Sequence, residues 1–182
     1  ALLPFRHLFS GRFLTGLFYY CICYLTLSSV NYVLPIFMLQ GLAVPVFNAG
    51  FILSATGLVA LLIAWIHLRL APTYTKQKYY LVFAFCCLSI FFFFLSQLSP
   101  QSTLLQMVIP LLLLNGFTVV GQGASAFNTF RSTDDRIFSQ AYQIKNMLRE
   151  LMNATGVSVA NIFLQHREAV HYTRISESLP LD

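Results

Sequence analysis

Charge is what this chain has least of. Only 9% of its 182 residues are Asp, Glu, Lys or Arg, against roughly a quarter in a soluble domain. Acids are the scarcer sign, six against eleven Lys and Arg. So little charge excludes an ordinary water-facing surface. The formal charge of +5 does not point to nucleic acid either, because that needs basic residues gathered on one face, and here they stand between apolar runs. Cysteine is sparse: Cys21 and Cys23 share one apolar run, Cys86 and Cys87 another. Helical residues one or two apart point in different directions, so neither pair builds a metal site or a local disulfide, and all four read as small apolar fillers. Repeats, low-complexity linkers, a signal peptide, a Ser-His-Asp set and a Gly-rich phosphate loop are also missing. The chain is expected to be part of something longer.

Apolar residues are abundant. They make up 57% of the chain, with eighteen Phe and nine Tyr, and mean hydropathy is +0.70. A bilayer core of about 30 Å needs roughly 20 apolar residues per helix. Segments 13–39, 50–68, 79–98, 104–126 and 138–165 meet that need, joined by short connections such as "APTYTKQK" and "LSPQST". The expected fold is therefore all-α and integral to a membrane, with five transmembrane helices in one unit that has the lipid bilayer as its solvent.

Basic residues orient it. Arg6 and Arg12 precede the first span, Arg69, Lys76 and Lys78 follow the second, and Arg131 and Arg136 follow the fourth, while the loops after spans one and three contain no Lys or Arg. By the positive-inside rule the N-terminus is expected in the cytoplasm and residues after about 165 outside it. His7 and His67 fall at cytoplasmic span ends, an interfacial position.

In lipid, polar groups must find partners or water, so stripes of them are candidate sites. Tyr20, Tyr24, Ser28, Asn31 and Pro35 recur at helical spacing along span one, either lining a cavity or bonding to neighbours around a kink at Pro35. Asn115, Thr118, Gln122 and Ser125 form a second stripe on span four, beside Gly116, Gly121 and Gly123, which permit close helix approach or local unwinding. On span five, Asn146, Arg149, Asn153, Gly156 and Ala160 share one face, with Gln143, Glu150 and Asn161 flanking it over an arc of roughly 140°. That face is expected to point into a bundle or an aqueous cavity. Lys145 is expected to snorkel to the cytoplasmic surface, and Arg149 to be paired or hydrated. An Arg149–Glu150 pair is not expected, since adjacent helical residues do not face each other. The candidate substrate-cavity residues are thus Tyr24, Ser28, Asn31, Asn115, Thr118, Gln122, Asn146, Arg149, Glu150 and Asn153.

The segment "YVLPIFMLQGLAVPVFNAGFIL" resembles the "YLPLYLQ…G…AG" stretch that opens the C-terminal half of major facilitator superfamily transporters of the fourteen-helix drug:proton antiporter group, with Pro35, Gln40, Gly41, Ala49 and Gly50 matching. "NMLRELMNATGVSVA" is similar to that group's N-x-x-R-x-L-G-x-x-x-G helix through Asn146, Arg149, Leu151 and Gly156, with Met152 in place of its first Gly. The loop "HLRLAPTYTKQK" lacks the group's Asp-Arg-x-Gly core, and "QHREAVHYTRISESL" resembles an extracellular helical extension. The resemblance implies five of the six helices of a major facilitator half-domain in the cell (inner) membrane. It implies efflux of drugs or small amphiphiles by alternating access, exchange with protons, no cofactor, and an N-terminal half as partner that carries most coupling acids. A metal enzyme is the poorer fit: His166 and His171 in "HREAVH" lie about 140° apart on a helix, unlike the four-residue zincin spacing. A scaffold or assembly subunit is the remaining alternative, with the polar stripes as subunit contacts.

Overall fold

In the computed structural model the described residues are 11–70, 77–130 and 138–178, and their regular structure is entirely helical. Arg6, His7, Lys76, Arg131 and Arg136, on which part of the orientation argument rests, lie outside them. The elements are α1 (Gly11–Ile36), α2 (Val46–Leu70), α3 (Gln77–Ser96), α4 (Leu104–Gly116), α5 (Gln122–Phe130) and α6 (Phe138–Ser178). A π-helical turn, Phe37–Gly41, extends α1, and a second, Phe117–Gly121, joins α4 to α5.

Among the described residues, four stretches are long and apolar enough to cross a membrane: Phe13–Gly41, Val46–Arg69, Lys78–Ser96 and Leu104–Phe127. The protein is an all-α membrane protein. The fifth expected span lies inside α6, which is one uninterrupted 41-residue helix. It is not among the four, because the polar residues from Gln143 to Asn161 dilute its apolar side.

Contacts fix the helix directions. Ser28 of α1 meets Asn153 of α6 and Tyr32 meets Asn161, so these two helices run parallel. Gly16 near the start of α1 lies against Thr129 near the end of α5, an antiparallel pair. His67 at the end of α2 meets Tyr80 near the start of α3, while Ala84 and Cys87 of α3 face Gly121 and Gly116 in reverse order. With α4, its π turn and α5 taken as one continuous span, successive spans therefore alternate in direction, and the connections 42–45 and 97–103 share the end opposite Gly11.

Between membrane helices the hydrophobic effect no longer discriminates, and close van der Waals packing takes over. The main core follows that logic, with Ala84, Cys23, Cys87 and Gly121 set among Phe91, Phe117, Met38 and Leu111. The four cysteines are free thiols, two of them in this core. A smaller cluster of Phe13, Leu17, Phe130, Ala141 and Ile144 closes the Gly11 end of α1, α5 and α6.

The first π turn has a local cause. Pro35 has no N–H to donate back to the preceding turn. Just beyond it the ladder re-forms one residue wider, with Leu42 N–H donating to Phe37 O at 3.0 Å. The chain leaves the turn through Leu42 and Ala43, and Ala43 has a φ of 53°, the positive value found at a non-glycine residue among those described, with Val44 N–H donating to Met38 O at 3.0 Å. In the second turn Gly121 sits against Ala84, where an added Cβ would lie 3.3 Å from the alanine methyl. Of the two roles expected for the glycines of span four, close approach is the one seen here, at Gly121 against Ala84 and at Gly123 against His67.

Candidate functional site

The polar groups converge on the contact between α1 and α6. Ser28 Oγ donates to Asn153 O at 2.9 Å, Ser29 Oγ to Gly156 O at 2.9 Å, and Tyr32 Oη to Asn161 Oδ1 at 3.2 Å. Gly156 makes this approach possible: a Cβ there would lie 2.5 Å from both Leu25 O and Ser28 Oγ. With Lys145 beside Tyr20 at one end and Asn161 at the other, the shared length of α6 is 16 residues, about 24 Å at about 1.5 Å per residue. That is most of a hydrocarbon core of about 30 Å. α1 belongs to a stretch able to cross the membrane, and α6 runs beside it over that length despite its polarity.

Lys145 corrects one expectation. It does not reach for the surface; it is only 9% exposed. Its Nζ lies 5.4 Å from the ring centre of Tyr20, 5.4 Å from Phe130 and 4.3 Å from Tyr142. Rings from α1, α5 and α6 thus present their negative faces to one ammonium, an arrangement that attracts a cation most strongly when it is shielded from water.

Arg149 corrects another. Its Nε and Nη2 both donate to Glu150 Oε1, at 3.0 and 2.8 Å. The Cα–Cβ bonds of neighbouring helical residues do diverge, but these side chains are long enough for their tips to curl round the helix and meet. The pair is open, with side-chain exposures of 39% and 66%. One turn away, Asn146 Oδ1 is buried without a hydrogen-bond partner among the described residues, as is Gln140 Oε1.

Nine of the ten candidate positions fall into two groups. Tyr24, Ser28, Asn146, Arg149, Glu150 and Asn153 belong to the α1–α6 seam; the Tyr24 ring centre is 4.5 Å from that of Tyr20. Asn31, also on α1, is exposed. Asn115, Thr118 and Gln122 stand apart. Asn115 Nδ2 donates to Thr56 O of α2 at 2.7 Å, Thr118 Oγ1 bonds back to Leu114 O, and Gln122 offers its backbone oxygen to Ser125. No hydrogen bond or ion pair among the described residues joins the two groups.

Sequence reading passed over Ser29 and Tyr32, although each lies one residue from the stripe it named. It also missed the ring set around Lys145. The Tyr142–Lys145 spacing of three was a usable signal for that cluster; the arrival of Phe130 from α5 was not. Elsewhere, a cavity of about 480 Å³ lies between α1, α3 and α6, walled by Leu34, Phe37, Leu95, Val159 and Phe163, with Arg167 contributing one of its few polar surfaces. His166, Glu168 and His171 are exposed on α6, and no group of three metal-ligating side chains forms among the described residues. Comparison with protein-family models, curated proteins and solved structures gives no match.

Proposed function

We propose that this chain is part of a proton-coupled secondary transporter of the cell (inner) membrane that exports small amphiphiles by alternating access, working with a second, N-terminal half. The observation that carries this reading is an open Arg149–Glu150 pair on a helix packed along a membrane-length one, which on this reading lies at bilayer depth. Charged side chains there are strongly disfavoured against lipid and mark water-filled substrate or proton paths. The resemblance of "NMLRELMNATG" to the antiporter helix supports the same assignment, and the distribution of Lys and Arg supports a cytoplasmic N-terminus.

A second reading, an assembly or scaffold subunit, is favoured by the bonds from Ser28, Ser29 and Asn115 to backbone oxygens of neighbouring helices, which are packing contacts. Transport separates the two. The complete protein, reconstituted in liposomes, should move a fluorescent amphiphile against its gradient only while a proton gradient is maintained. Arg149→Gln should reduce that rate by about tenfold or more, equivalent to about 1.4 kcal/mol, at unchanged melting temperature. Movement that persists after the gradient is collapsed would sink the coupled-transporter reading; impaired assembly with intact transport in Arg149→Gln would favour the scaffold.

A further inference from the structure

The charges of the described residues along the α1–α6 seam do not balance. Among the described residues the seam holds one carboxylate, Glu150, and it is taken by Arg149. Lys145, on the same helix four residues earlier and so on the same side, has three aromatic rings around its ammonium and no carboxylate in ion-pair distance among those residues. The ring faces offset part of the cost of desolvating that ammonium. They do not neutralise it, and among the described residues a net positive charge remains, with Lys145 itself shielded from water, where uncompensated charge is costly. Arg149 is the accessible member of the two cations, and the carboxylate now on it is the most exposed group of the set.

We propose that the seam binds organic anions: a carboxylate or sulfonate on an apolar body, seated on Arg149 in place of Glu150, with the field of Lys145 favouring its charge. This names the substrate class of the proposed transporter and rests on that reading only where movement across the membrane is concerned. Glu150 is then the resident counter-ion, swinging to water as the ligand arrives. An organic cation fits poorly, because it would add to an existing positive charge and because the rings of Tyr20, Phe130 and Tyr142 already hold a cation of the protein's own.

Two probes that share an aromatic body and differ in charge test the proposal: naphthalene-2-sulfonate and N,N,N-trimethyl-2-naphthylammonium, titrated calorimetrically into the complete protein in detergent. The sulfonate should bind about tenfold tighter than the ammonium or better, a gap of about 1.4 kcal/mol. Lys145→Gln should weaken the sulfonate by a similar factor, and Lys145→Arg should restore it. Glu150→Gln should tighten the sulfonate severalfold by removing its competitor, the opposite of what loss of a merely structural ion pair would do. Tighter binding of the ammonium, or weaker sulfonate binding in Glu150→Gln with unchanged melting, would overturn the proposal, and neither outcome depends on Lys145→Gln folding. In liposomes, sulfonate binding without gradient-driven movement would leave the anion site standing and sink the transporter reading. Gradient-driven movement of the ammonium alone would do the reverse.

Discussion

At the residue scale, Gly156 bears most directly on the seam. Its missing side chain lets Ser28 and Ser29 reach the α6 backbone, and a Cβ would lie 2.5 Å from a backbone oxygen that has no freedom to swing aside. Alanine is a better helix former than glycine by about 1 kcal/mol, so propensity alone would make Gly156→Ala stabilising. Overpacking works against it and is typically worth about 1–3 kcal/mol. The variant should therefore lower unfolding stability in detergent, while Gly50→Ala, where an added Cβ meets nothing within 4 Å, should hold or raise it. Sequence alone placed Gly156 on the right face but could not supply the distance, because the depth at which two helices meet is set by all their contacts together.

At the element scale, the informative features are the two π turns and the polar helix. The first turn is followed by Ala43 in a left-handed conformation that costs an alanine about 1–2 kcal/mol and glycine almost nothing. Ala43→Gly should accordingly raise stability by about 1 kcal/mol in the same unfolding assay, less whatever extra freedom glycine gives the unfolded chain. Four of the five expected spans were legible because unbroken apolar runs report membrane helices directly. The π turns were not, although Pro35 and Gly121 mark their neighbourhoods, since one widened hydrogen bond leaves no period in the sequence. α6 was half legible: its amphipathic pattern showed a face turned toward a bundle, but not that α1 was the neighbour or that Lys145 would be enclosed. The Arg149–Glu150 pair was misjudged because backbone direction was used where side-chain length decides.

At the scale of the whole molecule, the account turns on α6 lying at bilayer depth while presenting a wet edge. Parallel contact with α1 from Lys145 to Asn161 sets the depth, and the open Arg149–Glu150 pair marks the edge. The helix then continues to Ser178, 12 residues or about 18 Å beyond His166, long enough to leave the bilayer on the side of residues 42–45 and 97–103. The most direct test is reaction of single cysteines on α6 with a charged, membrane-impermeant thiol reagent, in a complete protein whose native cysteines, the four of this chain among them, have been replaced. Leu151 stands about 100° round the helix from Glu150, and both positions are exposed in the isolated chain, so folding alone does not separate them. Fast reaction is expected at Glu150→Cys and little at Leu151→Cys or Ile162→Cys, which stand on the apolar side of α6. Equal reaction at all three would show that α6 is not embedded, and no reaction at Glu150→Cys would show that its charged edge is not in contact with water.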